Sequence, residues 1–211
     1  MSASSIFPEG KVSMPQPLSA RLSNLSWERR LGISTRGSVP VDYPDAHHYA
    51  AMQYSSILEV LRFLSLSPGD TFVDIGSGKG RVICCAARYP VAKVVGIDLS
   101  AEFCEQATAN AKRMRGRRAP IEVHNLTAQD FDYSEGSVYY LFDPFGPGTL
   151  GQVLDRIHKD RAEKPVRIAY TNPTHKAAFA DQLWLDEYEF WDKAARGSEH
   201  SVAFYRTKVG A

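Results

Sequence analysis

The residues with the densest chemical content lie in FVDIGSGKGR, positions 72–81, where a short apolar run meets three glycines spaced two apart and Asp74 stands two residues ahead of Gly76. Spacing weakens one phosphate-binding reading and rejects another. A dinucleotide fingerprint needs G-x-G-x-x-G, and Arg81 occupies the place of its last glycine. A P-loop needs G-x-x-x-x-G-K, and Gly76 leads through SGKG to the same arginine. A carboxylate at the mouth of such a loop repels a pyrophosphate and favours a ligand carrying an ammonium or sulfonium group. Gly76 and Gly78 then allow close backbone approach to that ligand, and Gly80 allows close packing of helix on strand. Asp98, at the end of the next apolar run and 18 residues after Gly80, sits where a carboxylate accepts ribose hydroxyls. Together these features point to S-adenosylmethionine (SAM), which carries positive charge and no phosphate.

The elements that position these residues follow from pattern. Apolar runs at 71–76, 93–98, 121–125, 138–143 and 166–171 alternate with helical stretches of 10 to 17 residues. Phe103, Ala107, Ala111 and Met114 recur at helical period, as do Leu150, Val153, Leu154 and Ile157. This alternation predicts a parallel sheet covered on both faces. Two further runs, 184–192 and 200–207, have no helix between them and predict an antiparallel hairpin at the sheet edge. The fold class is therefore α/β: a doubly wound, mostly parallel seven-stranded sheet with a C-terminal hairpin. Ahead of it, Ile57, Leu58, Leu61 and Leu64 share one helical face, and Ser67-Pro68-Gly69-Asp70 closes that helix in a turn. Residues 1–26 read as a loosely docked arm and 27–49 as a lid, so the division is an arm and lid over 1–53 and a ligand-binding domain over 54–211.

DIGSGKGR and GIDLS resemble the first two motifs of the class I SAM-dependent methyltransferases, and the element order from about residue 54 to 207 is similar to their whole fold. The D-x-G-S-G-x-G form also resembles the non-SET histone-lysine methyltransferases and many bacterial relatives. The resemblance implies SAM as cofactor, held by Asp74, Gly76, Ser77, Gly78, Gly80, Asp98 and Leu99. After the third strand the family carries an acid and a small residue against adenine. HNLTAQDFDY departs from that: either Thr127 with the Ala128 backbone holds the base, or Asp130 does. The run FDPFGPG resembles, in part, the D/N-P-P-Y/F tetrapeptide of amino-group methyltransferases, with Phe145 at its second proline and Gly146 at its aromatic.

That places Asp143 beside the methyl group as the catalytic candidate, with Tyr49 second, and Phe145, Tyr54, His48 and Asn172 as acceptor contacts. A carboxylate there accepts a hydrogen bond from an attacking amine and aims its lone pair. The plainer reading of Asp143-Pro144 and of Asn172-Pro173 is strand end and helix cap. His47 and His48 have no third ligand at metal spacing, so no metal is expected.

Composition sets the partners. With 25 Lys and Arg against 24 Asp and Glu the net charge is +1, which provides no global field for nucleic acid or membrane. The densest cationic run, AKRMRGRRAP, holds Lys112, Arg113, Arg115, Arg117 and Arg118 at a helix end with no aromatic residue among them. It reads as a solvated helix terminus. A small-molecule or protein acceptor with an N or O nucleophile is expected, with RNA methylation, a non-catalytic SAM or nucleoside binder and a nicotinamide oxidoreductase as rivals. Three cysteines without ligand spacing and no apolar segment near ~18 residues suggest a reduced, soluble, cytoplasmic chain.

Overall fold

Short runs rich in Val, Ile and aromatic residues can bury both faces only between layers of helices, and the molecule is built that way. The computed structural model describes residues 18–36, 51–161 and 164–208. The chain runs α1 (Leu18–Leu31), α2 (Tyr54–Phe63), β1 (Thr71–Ile75), α3 (Arg81–Ala86), β2 (Lys93–Asp98), α4 (Ala101–Arg113), β3 (Ile121–Asn125), β4 (Val138–Phe142), α5 (Pro147–Arg161), β5 (Arg167–Thr171), α6 (Ala177–Ala180), β6 (Leu185–Trp191), α7 (Lys193–Arg196) and β7 (Val202–Thr207).

The seven strands lie in the order β3-β2-β1-β4-β5-β7-β6. The first five are parallel, and β7 pairs antiparallel with both β5 and β6. Strand order reverses between β1 and β4, the point at which an open α/β sheet leaves a crevice beyond its carboxyl ends. Because β7 runs the other way, its start at Val202 pairs with Thr171 and brings residues 198–201 to that same end.

Two cores flank the sheet. On one face Phe72, Val94 and Tyr140 meet Leu58 and Leu61 of α2 and the buried α3. On the other, Val73, Val95, Leu141 and Ile168 meet Leu150, Val153, Leu154 and Ile157 of α5. Each fully buried Leu or Ile contributes about 1.5–3 kcal/mol. Cys84 and Cys85 are part of this packing; burial pushes the Cys84 thiol up to about 12 and removes both from thiolate chemistry.

The crossovers are leaner than the sequence pattern predicts. α3 has 6 residues and α6 has 4, and no helix joins β3 to β4. There Phe131 and Tyr133 take the place of a helix, packing as aromatic plugs with the Tyr133 hydroxyl donating to Ala128 O at 2.7 Å. A single turn, α7, interrupts the expected plain hairpin loop.

The N-terminal reading needs correction. Residues 18–31 form a helix, not an arm, and Leu31, Ile33 and Met52 belong to the same core as Tyr54 and Leu61. The inward stripe of α1 is Asn24, Glu28 and Leu31, at helical spacing but mostly polar, so no hydrophobic period betrays it. The remaining lid residues, 37–50, with His47, His48 and Tyr49, lie outside the described residues, as do 1–17.

Candidate functional site

At the carboxyl end of β1 the chain turns sharply through Gly76, Gly78 and Gly80, with φ of 80°, 51° and 83°. These left-handed values are ordinary for glycine and strained for other residues. The N–H groups of Gly76 and Ser77 both donate to Ile97 O at 2.9 Å, which sews the loop to β2. A Cβ on Gly76 would lie 2.6 Å from Pro144 Cβ, so this glycine makes room for the turn after β4. A Cβ on Gly80 would lie 3.0 Å from Ala107 Cβ; Gly80 serves the packing of α4 against the loop, not of helix on strand.

Two carboxyls occupy adjacent strand ends. Asp98 accepts from Gly78 N–H at 2.8 Å through Oδ2 and from Ser100 N–H at 2.9 Å through Oδ1. Burial raises its pKa above the usual carboxylate range, against the pull of those two N–H groups. Its turn is fixed by Asn125, which donates to Asp98 O and Leu99 O at 3.2 and 2.9 Å. Asp74 is 2% exposed, and its Oδ2 is buried with no hydrogen-bond partner. Burial first, and the neighbouring Asp98 charge second, drive its pKa well upward. The Ser77 hydroxyl is likewise buried and unpartnered. An acceptor-rich corner with orphaned oxygens suits a cationic, hydrogen-bonding group and is hostile to a pyrophosphate.

Beyond β3, Thr127 Oγ1 donates to Asp130 Oδ2 at 2.6 Å, so the two alternatives for an adenine contact form one pair on an exposed turn. Ala128 is buried against the core, its carbonyl taken by Tyr133.

At the end of β4, Asp143 adopts φ 42°, and at the end of β5, Asn172 adopts φ 53°. Each precedes a proline, and each such non-glycine conformation costs about 1–3 kcal/mol unless its surroundings hold it. They hold each other. Asp143 Oδ1 accepts from Tyr170 OH and Thr174 Oγ1, both at 2.7 Å, and Oδ2 accepts from Asn172 Nδ2 at 3.1 Å. Neither residue is a helix cap: α5 starts at Pro147, and the cap of α6 is Lys176. His200 lies beside them, its ring edge-on to Phe142 at 4.8 Å and within reach of the Asp143 charge; burial lowers its pKa, so the imidazole is neutral.

Two expected acceptor contacts are elsewhere. Phe145 is buried in the α5 core. Tyr54 is fully buried, stacked on Trp27 at 6.1 Å, with the Arg81 guanidinium 4.6 Å from its ring centre. Arg81 itself, the residue that broke the dinucleotide fingerprint, donates to Thr35 Oγ1 at 2.7 Å and Met52 O at 2.6 Å and pairs with Glu28 at 3.5 Å. It ties the N-terminal segment to the glycine loop. Asn125, Tyr170, Thr174 and His200 were given no role from sequence, and Arg81 only that of breaking a motif, because their partners lie on other elements and only the fold unites them. A cavity of about 230 Å³ between Lys93, His124, Phe131 and Glu135 lies at the opposite, amino end of β1 and β2 and takes no part in this arrangement.

Residues 72–159 match a family described as methyltransferase domain. No curated protein matches the sequence. Among solved structures, an RNA methyltransferase from Salinibacter ruber in complex with S-adenosyl-L-homocysteine is 20% identical, with 77% of this chain and 96% of that one covered and a TM-score of 0.61. A SAM-dependent O-methyltransferase from Thermotoga maritima is 16% identical over 77% of this chain and 68% of that one, TM-score 0.59. A mycolic acid cyclopropane synthase complexed with S-adenosyl-L-homocysteine is 14% identical over 74% and 84%, TM-score 0.60. The expected seven-stranded α/β architecture is thus present, and it is the fold these structures share.

Proposed function

We propose that this chain, which carries a methyltransferase domain within a class I SAM-dependent methyltransferase fold, binds SAM at the ends of β1 and β2 and transfers its methyl group to an N–H or O–H nucleophile beside Asp143. The observation that carries this reading is the Asp74 carboxyl: buried, unpartnered on Oδ2 and adjacent to a second raised carboxyl, it calls for a cation. SAM supplies an electrophilic methyl on a sulfonium, so the leaving group needs no acid. Asp74 and the Ser77 hydroxyl would hold its cationic amino-acid end, Asp98 would accept from the ribose hydroxyls, and the Thr127–Asp130 turn would hold the base.

Asp143 works by placement. Three side-chain donors hold its carboxylate in one orientation, ready to accept a hydrogen bond from the nucleophile and turn its lone pair toward the methyl carbon. Neutral His200 is the adjacent group able to take the proton that a hydroxyl gives up on attack, or that an ammonium sheds to become the nucleophilic amine.

The test combines calorimetry with transfer of labelled methyl groups into fractionated extract. The wild type binds S-adenosylhomocysteine and labels an acceptor, whereas Asp143→Asn keeps its affinity for S-adenosylhomocysteine and loses at least tenfold in labelling rate. Binding with no transfer to any fraction leaves a SAM sensor in place of an enzyme. Thermal stabilisation by NAD but not by S-adenosylhomocysteine overturns the reading altogether.

A further inference from the structure

The near balance of 25 Lys and Arg against 24 Asp and Glu conceals where they lie. Residues 18–36, 81–92 and 106–120 hold eleven of the cations and a single acid, Glu28, which leaves fourteen cations against 23 acids in the rest of the chain. Glu28 is buried and pairs with Arg81, itself buried, and with Arg36, which leaves nine cations of these stretches without an acid among them. The fold brings the three stretches together. Arg115 N–H donates to Leu31 O and Arg118 N–H to Ala87 O, both at 2.7 Å.

Trp27 supplies the aromatic that the cationic run lacks. The guanidinium groups of Arg30 and Arg88 lie 5.2 and 5.5 Å from its ring centre, and Arg88 in turn borders Gly116. Among the described residues, none of Arg30, Arg88, Arg115, Arg117 and Arg118 has a carboxylate within ion-pair reach. Arginines gathered this way repel one another, an arrangement that lowers stability unless a polyanion neutralises it. All but one of the eleven cations are arginine, the exception being Lys112. The planar guanidinium pairs bidentately with phosphate and also stacks on bases, a second contact that a carboxylate-rich partner does not offer.

We propose that this face docks the phosphate backbone of single-stranded RNA, with the Arg30–Trp27–Arg88 group as a base-stacking platform at its centre. The proposal stands apart from methyl transfer and is tested without SAM. Fluorescence anisotropy with a labelled mixed-sequence RNA of about 20 nucleotides, titrated from about 50 to 300 mM KCl, gives micromolar binding at low salt that weakens along a straight line in log–log form. Each phosphate contact contributes about 0.7 to that slope. Replacing Arg115, Arg117 and Arg118 together with glutamine lowers affinity at least tenfold at low salt and reduces the slope by about 2. Arg88→Gln lowers affinity severalfold, and both variants keep the wild-type melting temperature and S-adenosylhomocysteine affinity. No RNA binding at about 50 mM salt overturns the proposal, as does unchanged binding by the triple variant. Polyglutamate bound as tightly as RNA also overturns it and reassigns the face to an acidic protein.

Discussion

Asp74 combines near-complete burial with an oxygen that has no donor, and so it works against the fold that contains it. Its folded pKa lies above the unfolded value, so the folded state holds a proton that the unfolded chain has released. The stability it removes is therefore absent below the unfolded carboxylate range and grows as pH rises through the folded pKa. Asp74→Asn is expected to raise the stability of the free protein by about 1–3 kcal/mol near pH 8, the size of an unsatisfied buried polar group, and to leave it nearly unchanged near pH 4. The same substitution is expected to weaken S-adenosylhomocysteine binding at least tenfold. Urea unfolding at the two pH values and calorimetry check both halves; an equal stability change at both pH values would show that the folded state holds no more protons on this carboxyl than the unfolded chain does. The places of Asp74, Asp98 and the glycine turn at strand ends were legible in sequence because each follows from its own strand and turn. The setting of Asp143 was not, since Tyr170, Asn172 and Thr174 come from the next strand and its loop. Tyr54 misled for the converse reason: an aromatic beside a polar segment reads as exposed until α1 is seen to cover it.

At the scale of elements, the strands declared themselves and α1 did not. Each strand is an apolar run bounded by turn residues, and the observed bounds of β2 and β3 coincide with the runs read from sequence. α1 buries Asn24 and Glu28, and its Leu18 and Leu22 face outward, so its pattern is inverted. What holds it is the polar core of Glu28, which accepts from Thr35 N–H at 2.8 Å and Thr35 Oγ1 at 2.9 Å and pairs with Arg81. Removing one charge of a buried pair leaves the other uncompensated, at a cost of about 3–5 kcal/mol. Glu28→Leu and Arg81→Met are each expected to destabilise by about that amount in urea unfolding. The double variant is expected to fall short of the sum by about 1–3 kcal/mol, as contacting groups do. Strict additivity would mean that α1 and the glycine loop are held by packing alone.

The whole molecule separates its charges by region. The carboxyl ends of β1 and β2 present acids, the flank built from α1, the α3 terminus and the 106–120 segment presents arginines, and composition reports only their sum. A net charge of +1 therefore argued against nucleic acid on a quantity that no partner ever meets, because screening limits a surface charge to a reach of about 8–10 Å. Chromatography reads the distribution directly. On a sulfonate exchanger at mildly alkaline pH, the protein is expected to be retained despite its near-zero overall charge, held by the arginine flank. Substituting glutamine for Arg115, Arg117 and Arg118 is expected to move elution to clearly lower salt than substituting it for Lys159, Lys164 and Lys193, exposed cations outside that flank. The two triple variants have equal net charge, so a difference between them measures segregation alone. Identical elution would mean that the arginines act as isolated solvated charges, and that the composition was a fair description of the surface.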